Sequence, residues 1–110
     1  MFAGVYVRDY EAAKDWYARV LGAEPAFYPN EIEAVWALAE HRYLYIRVSP
    51  EHAGHALQTV IVDDLDERVA GIAARGVEPV LREEYENGVR KVVYHDADGN
   101  ELGFGGVPAG

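Results

Sequence analysis

Apolar and polar residues alternate along most of this chain, and the alternation twice gives way to a helical period. Residues 2–8 place Val5 and Val7 on one side and Phe2, Gly4 and Tyr6 on the other, which predicts a strand. Asp9 then stands where a helix N-cap belongs, and Glu11 suits the positive end of a helix. Ala12, Ala13, Trp16, Tyr17, Val20 and Leu21 recur at helical spacing until Gly22 stops the helix. Short strands are predicted near 25–28, 33–39 and 42–48. Residues 49–56, with Pro50, Gly54 and two histidines, read as a linker. A strand at 57–62 and a helix from Asp64 to Arg75 follow, with Leu65, Val69 and Ile72 on the helix face and Gly76 as its stop. Strands near 79–82, 89–95 and 101–106 complete the chain. Asn87-Gly88 and Asp96-Ala97-Asp98-Gly99-Asn100 mark tight turns between them.

The pattern repeats. Val5-Tyr6-Val7-Arg8-Asp9-Tyr10 is matched by Val60-Ile61-Val62-Asp63-Asp64-Leu65, and Gly22-Ala23-Glu24-Pro25 by Gly76-Val77-Glu78-Pro79. Leu44 to Pro50 recurs, more loosely, as Leu102 to Pro108. Three matches in the same order indicate a duplicated unit with small loop changes. The 110 residues therefore form a single domain over 1–110, built of modules 1–50 and 56–110 joined by the linker 49–56. Each module is strand–helix–strand–strand–strand. The expected fold is α+β: two tandem βαβββ modules forming a curved, mixed, eight-stranded sheet, with the helices on its outer face and a cup on its inner face.

Charge and composition narrow the function. Ten Lys and Arg stand against 19 Asp and Glu, a net charge of −9, so neither nucleic acid nor an anionic membrane is an expected partner. Half the residues are apolar, enough for a core, and no apolar run reaches the length of a membrane span. With no Cys there is no disulfide framework, thiol nucleophile or thiolate metal site, and a cytoplasmic location is the simple expectation. Glu31, Glu33, Glu40, Glu83, Glu84 and Glu86 cluster in loops, either as a solvated surface or as a negative rim that attracts a cationic ligand.

Four segments carry a family resemblance: Val5-Tyr6-Val7-Arg8-Asp9, Trp16-Tyr17-Ala18-Arg19-Val20-Leu21-Gly22, Val60 to Asp66, and Asp96-Ala97-Asp98-Gly99-Asn100-Glu101-Leu102. Together they resemble the vicinal oxygen chelate superfamily, which includes glyoxalase I, extradiol dioxygenases, and fosfomycin- and bleomycin-resistance proteins. The last segment is similar to that family's Asp-Pro-Asp-Gly-Asn turn, with Ala97 in place of Pro. The resemblance spans essentially the whole chain and implies the fold more than the activity. The family's enzymes usually hold a divalent metal through His in the first strand and Glu in the last strand of each module. Counted from the matched segments, those positions fall on Phe2, Tyr45, Leu57 and Gly103. None is an ordinary metal ligand, and Tyr is at best an uncommon one. The residues flanking them offer no substitute. His41, His52, His55 and His95 lie in turns and the linker. No metal and no cofactor are expected.

The ligand positions of the family mark the cup side of each strand. Alternation then places Phe2, Gly4, Tyr6, Tyr43, Tyr45, Arg47, Leu57, Thr59 and Ile61 toward the cup, with Gly103 and Gly105 leaving room. Trp36 and Tyr94 lie on inner strands with either facing open. The expected ligand-binding residues are Phe2, Tyr6, Trp36, Tyr43, Tyr45, Arg47, Leu57, Thr59 and Tyr94, with no catalytic residue assigned. An aromatic, apolar concavity suits a planar or hydrophobic molecule. The alternative is that these side chains fill the cup as core. The resemblance favours a metal-independent small-molecule binding protein, similar to the superfamily members that sequester antibiotics of the bleomycin, mitomycin or enediyne type. Those members are typically homodimers, so a homodimer is expected. Two further readings stand beside it. One is a metal-free lyase, isomerase or tailoring enzyme using Tyr6, Tyr45 and Arg47. The other is an interaction module with a closed cup.

Overall fold

Local signals set the first helix. Asp9 adopts extended backbone and its carboxylate accepts the Ala12 N–H at 3.1 Å. At the other end Gly22 takes the left-handed conformation, φ 73°, and donates to the Ala18 carbonyl. In the computed structural model, which describes residues 1–106, this helix is α1 (Tyr10–Leu21) and follows strand β1 (Phe2–Val7). Then come β2 (Glu33–Ala39), β3 (Arg42–Val48), β4 (Leu57–Val62), α2 (Leu65–Ala74), β5 (Leu81–Glu84), β6 (Arg90–His95) and β7 (Glu101–Gly106). Val107 and Pro108, which close the second copy of the third repeat, and the module end at 110 lie outside the described residues.

The α+β class and the repeated module stand. Within each module the first strand pairs in parallel with the last, β1 with β3 and β4 with β7, and the remaining pairs are antiparallel. The expected single sheet of eight strands does not form among the described residues. They make a three-stranded sheet, β1-β3-β2, and a four-stranded sheet, β4-β7-β6-β5. The stretch 25–28 contributes only an isolated bridge, Phe27 to Val35. Pro25 and Pro29 bracket it, and a proline has no N–H to extend a ladder.

The two sheets are joined through their helix-facing sides. Val5, Val7, Leu44, Ile46, Ala34 and Trp36 from the first sheet share one core with Val92, Tyr94, Leu102 and Phe104 from the second, together with Tyr17, Val20, Leu65 and Ile72 from the helices. The cup-side rows are consequently turned away from that core, and Phe2, Tyr6, Leu57 and Ile61 are exposed. An apolar core shared in this way makes the modules one cooperative unit, while each keeps an open sheet face.

A polar latch closes the seam. Asn100 is 1% exposed, and its side-chain oxygen accepts the N–H groups of Gly54 and Ala56 at 3.1 and 3.0 Å. Its amide donates to the Tyr6 carbonyl and to Asp96, both at 2.9 Å. Asp96 also accepts the N–H groups of Asp98 and Asn100 and, at 2.8 Å, the Tyr17 hydroxyl. Burial, followed by the Asp96 charge, pushes the Tyr17 phenol far above its ordinary value. The linker is thus held from both sides, and its Ala53 is buried. No helix is long and apolar enough to cross a membrane among the described residues.

Candidate functional site

Strand register sorts the expected site residues into three places. On the first sheet, β1 pairs Phe2 with Tyr43, Gly4 with Tyr45 and Tyr6 with Arg47. All five expected residues on these strands therefore share one open face. Phe2 stacks on Tyr43 with centroids 4.7 Å apart and meets Tyr45 edge-on at 6.2 Å. Phe27 adds an edge-on contact to Tyr43 at 6.1 Å. Gly4 is required here, because a Cβ at that position would lie 2.7 Å from the Tyr45 ring. The glycine lets the tyrosine lie flat across the strand.

Arg47 ends this aromatic row. Its guanidinium is 3.5 Å from the Glu33 carboxylate, which sits opposite it on β2. Glu33 is thus a partner within the face, not part of a free negative rim. His52 of the linker lies against Tyr6, with ring centroids 5.4 Å apart. Phe27, Glu33 and His52 extend the site beyond the residues read from sequence. The signal for Glu33 was its cross-strand register to Arg47.

Leu57 and Thr59 occupy the corresponding open face of the second sheet, with Ile61. Leu57 is 67% and Ile61 71% exposed. The chain does not fold these residues against the first group, since the helix sides of the two sheets face the common core. The expected intramolecular cup is therefore two open half-cups. The room at Gly103 and Gly105 is also taken. A Cβ on Gly103 would lie 2.9 Å from Lys91 Cε, and one on Gly105 would lie 3.0 Å from Ile61 Cδ1. His95 and Glu101 complete the row beside Leu57, with Nε2 and Oε1 3.4 Å apart.

Trp36 and Tyr94 face the other way. Trp36 is 1% exposed, lies 6.0 Å from the Tyr17 ring and donates its indole N–H to the Ala23 carbonyl at 2.9 Å. Tyr94 is fully buried and packs edge-on against Phe104 at 6.0 Å. Both are core residues in this chain. The Tyr94 hydroxyl has no hydrogen-bond partner among the described residues, and burial raises its pKa above the ordinary phenol value. Tyr94→Phe is accordingly expected to leave stability unchanged or raise it by about 1 kcal/mol, because an unsatisfied buried hydroxyl is removed at nearly constant shape. Urea denaturation checks it; a clear loss of stability would show that the hydroxyl has a partner in solution.

A groove of about 720 Å³ runs along β4, where Thr59 and Ile61 of the open face join Leu21, Leu38, Val62 and Phe104 in lining it. It gathers only Trp36 and Thr59 from the expected set, and Trp36 is almost wholly covered. Its lining comes from both modules. The aromatic residues of the first sheet's open face are not part of it.

The donor set does not suit the metal that the superfamily's enzymes carry. Phe2, Leu57 and Gly103 offer no ligand atom, and the space above Gly103 holds a lysine stem. Among the described residues, no three His, Cys, Asp or Glu side chains stand close enough together to hold an ion.

Paired βαβββ modules with an open aromatic face define a class of fold, and comparison with known proteins assigns the family. Residues 2–104 match the model of the Glyoxalase/Bleomycin resistance protein/Dioxygenase superfamily, and the chain belongs to that family. A glyoxalase/bleomycin resistance protein from Catenulispora acidiphila DSM 44928 is 60% identical, with 98% of this chain and 97% of that one aligned at a TM-score of 0.95. More distant structures share the fold. A bleomycin-binding protein complexed with bleomycin is 18% identical at a TM-score of 0.78, with 98% of each chain covered. Lactoylglutathione lyase from Agrobacterium tumefaciens is 19% identical at 0.77, with 96% of this chain and 91% of that one covered. A comparison with curated proteins finds no match.

Proposed function

We propose that this protein is a metal-independent small-molecule binding protein that sequesters a planar aromatic natural product of antibiotic type, and that it does so as a homodimer. The observation that carries the reading is the aromatic row of Phe2, Tyr43 and Tyr45, left open on a face where the superfamily's enzymes would place metal ligands. Such a row offers ring faces and edges for stacking. A half-cup alone encloses nothing, whereas the open face of the second sheet presents Leu57, Thr59 and Ile61 as a complementary apolar wall. In the proposed dimer, the first sheet of one protomer faces the second sheet of the other, so that two equivalent cups form. Isologous pairing of this kind closes after two chains. The cysteine-free composition fits a cytoplasmic setting.

Aromatic stacking is favoured over recognition of a cation. Glu33, the acid of the expected rim that lies on the aromatic face, is already paired with Arg47. The enzymatic alternative gains little from Arg47, because its guanidinium is engaged by Glu33 and does not stand free to stabilise an oxyanion.

The test is light scattering followed by calorimetric titration with mitomycin and bleomycin, and recovery of each compound by chromatography. Trp fluorescence is a poor reporter here, since Trp36 lies in the core and Trp16 sits on α1 against Tyr17, away from the aromatic face. The expected result is a dimer that binds the planar quinone at one molecule per cup and returns it unaltered. A monomer that binds neither compound would overturn the reading. A compound returned chemically changed over many turnovers would replace it with the enzymatic one.

A further inference from the structure

Among the described residues, Lys91 is the one cation on the open face of the second sheet, apart from His95, and its placement is unusual. It lies on β6 opposite Glu83 of β5 and Gly105 of β7. A surface lysine in that register ordinarily reaches for the carboxylate across the strand. Here it forms no ion pair among the described residues, with Glu83 or any other acid. Its stem instead crosses β7, so that Cε stands 2.9 Å from where a Gly103 Cβ would be. Thr59 Oγ1 approaches the same point to 3.5 Å from the other side. Gly103 is buried beneath these two side chains. The other carboxylate nearby, Glu101, stands one row away beside His95.

We propose that the Lys91 ammonium and the Thr59 hydroxyl, set over Gly103, form an anion-binding point on the ligand face, and that the natural ligand is an aromatic molecule bearing a carboxylate, a phenolate or another anionic oxygen. This rests on the ligand-binding reading above and adds the ligand's charge to it. The arrangement has a chemical logic. A metal in the superfamily's enzymes attracts ligand oxygens; at one of the corresponding positions this chain has a glycine, and the vacated space admits an ammonium with a hydroxyl donor beside it. A charge-assisted hydrogen bond from an unpaired lysine is stronger than a neutral one and selects for charge. The apolar surroundings, Leu57, Ile61 and the buried Val93, sharpen that selection by lowering the local dielectric once a ligand covers them.

The probes are 2-naphthoate and its uncharged counterpart 2-naphthamide, which share one ring system. Binding to the full-length protein is measured by calorimetry at low and high salt. Naphthoate is expected to bind about tenfold tighter than the amide at low salt, a margin typical of one charge-assisted contact. Salt should narrow that margin. Lys91→Met keeps the stem over Gly103 and removes the charge; it is expected to erase the preference for naphthoate, with the loss falling far more on naphthoate than on the amide. Gly103→Ala is expected to weaken naphthoate alone by displacing Lys91, with the circular dichroism spectrum retained. Equal affinity for both probes, or a Lys91→Met variant that still prefers naphthoate, would overturn the anion point while leaving the ligand-binding reading intact. No binding of either probe would remove both.

Discussion

Asn100→Ala is expected to cost about 4 kcal/mol of folding stability, because it removes the one side chain that ties the linker to both modules. The side chain is 1% exposed and makes four hydrogen bonds, the one to Asp96 buried and the other three partly buried. Each such bond contributes about 1 kcal/mol, and its partner pays a further desolvation penalty when left alone. The bonds also join three parts of the molecule. The linker is held through Gly54 and Ala56, the first module through the Tyr6 carbonyl, and the second through Asp96. Urea denaturation should show a lower midpoint at unchanged slope, because the latch contributes to one cooperative transition. In a thermal scan the loss corresponds to roughly 15 °C for a domain of this size. Asn100→Asp is a sharper probe. It keeps the acceptor for Gly54 and Ala56 but loses the two donors and sets a second carboxylate beside Asp96. It should be at least as destabilising as alanine at neutral pH and recover in part on acidification, when the introduced acid is protonated. A loss below about 1 kcal/mol for alanine would mean that solvent replaces the latch, and that the shared apolar core alone holds the modules together.

Strand faces were legible in the sequence because a period of two leaves no choice. Val5 and Val7 had to point one way and Phe2 and Tyr6 the other, and the structure buries the first pair and exposes the second. The caps of α1 were legible too, since an Asp and a Gly have local reasons for their places. What opposes each face was not legible. The same alternation serves a cup closed within one chain and two half-cups turned outward, because the choice depends on how the helices of the two modules pack. Trp36 illustrates the limit: its face follows from its pairing with Leu44, and β2 carries an irregularity between Ala37 and Ala39 that obscures counting from the turn. The missing eighth strand had a visible cause in Pro25 and Pro29. Lys91 had one as well. The tight turn at Asp96–Asn100 fixes His95 opposite Glu101, and stepping back along both strands puts Lys91 opposite Gly105, beside Gly103. A lysine facing a pair of glycines across a ladder has room to lie down. That arrangement was present in the spacing, but reading it required both strands and the turn at once.

Ile61→Asp is the variant that separates folding from assembly. Ile61 is 71% exposed in the single chain, so a polar replacement there removes little burial and should shift the monomer's stability by no more than about 0.5 kcal/mol. In the proposed dimer the same residue lies on the wall that meets the first sheet of a second copy. A carboxylate at that position would be carried out of water, at a cost of several kcal/mol that a pair with Lys91, in the same row across β7, offsets only in part. The dimer dissociation constant is therefore expected to rise at least about 100-fold, since each 1.4 kcal/mol is a factor of ten. Because a twofold dimer repeats every contact, the penalty is incurred at both cups. Sedimentation velocity over a dilution series should show a monomer where the parent chain is a dimer, while the far-ultraviolet spectrum stays unchanged. Ligand binding should be lost in parallel, because an isolated half-cup encloses nothing. A variant that remains dimeric and binds as before would show that Ile61 lies outside the interface, and the paired-sheet cup would then have to be abandoned. A variant that becomes monomeric yet still binds would place the ligand within a single chain, and the groove along β4 would become the site to probe.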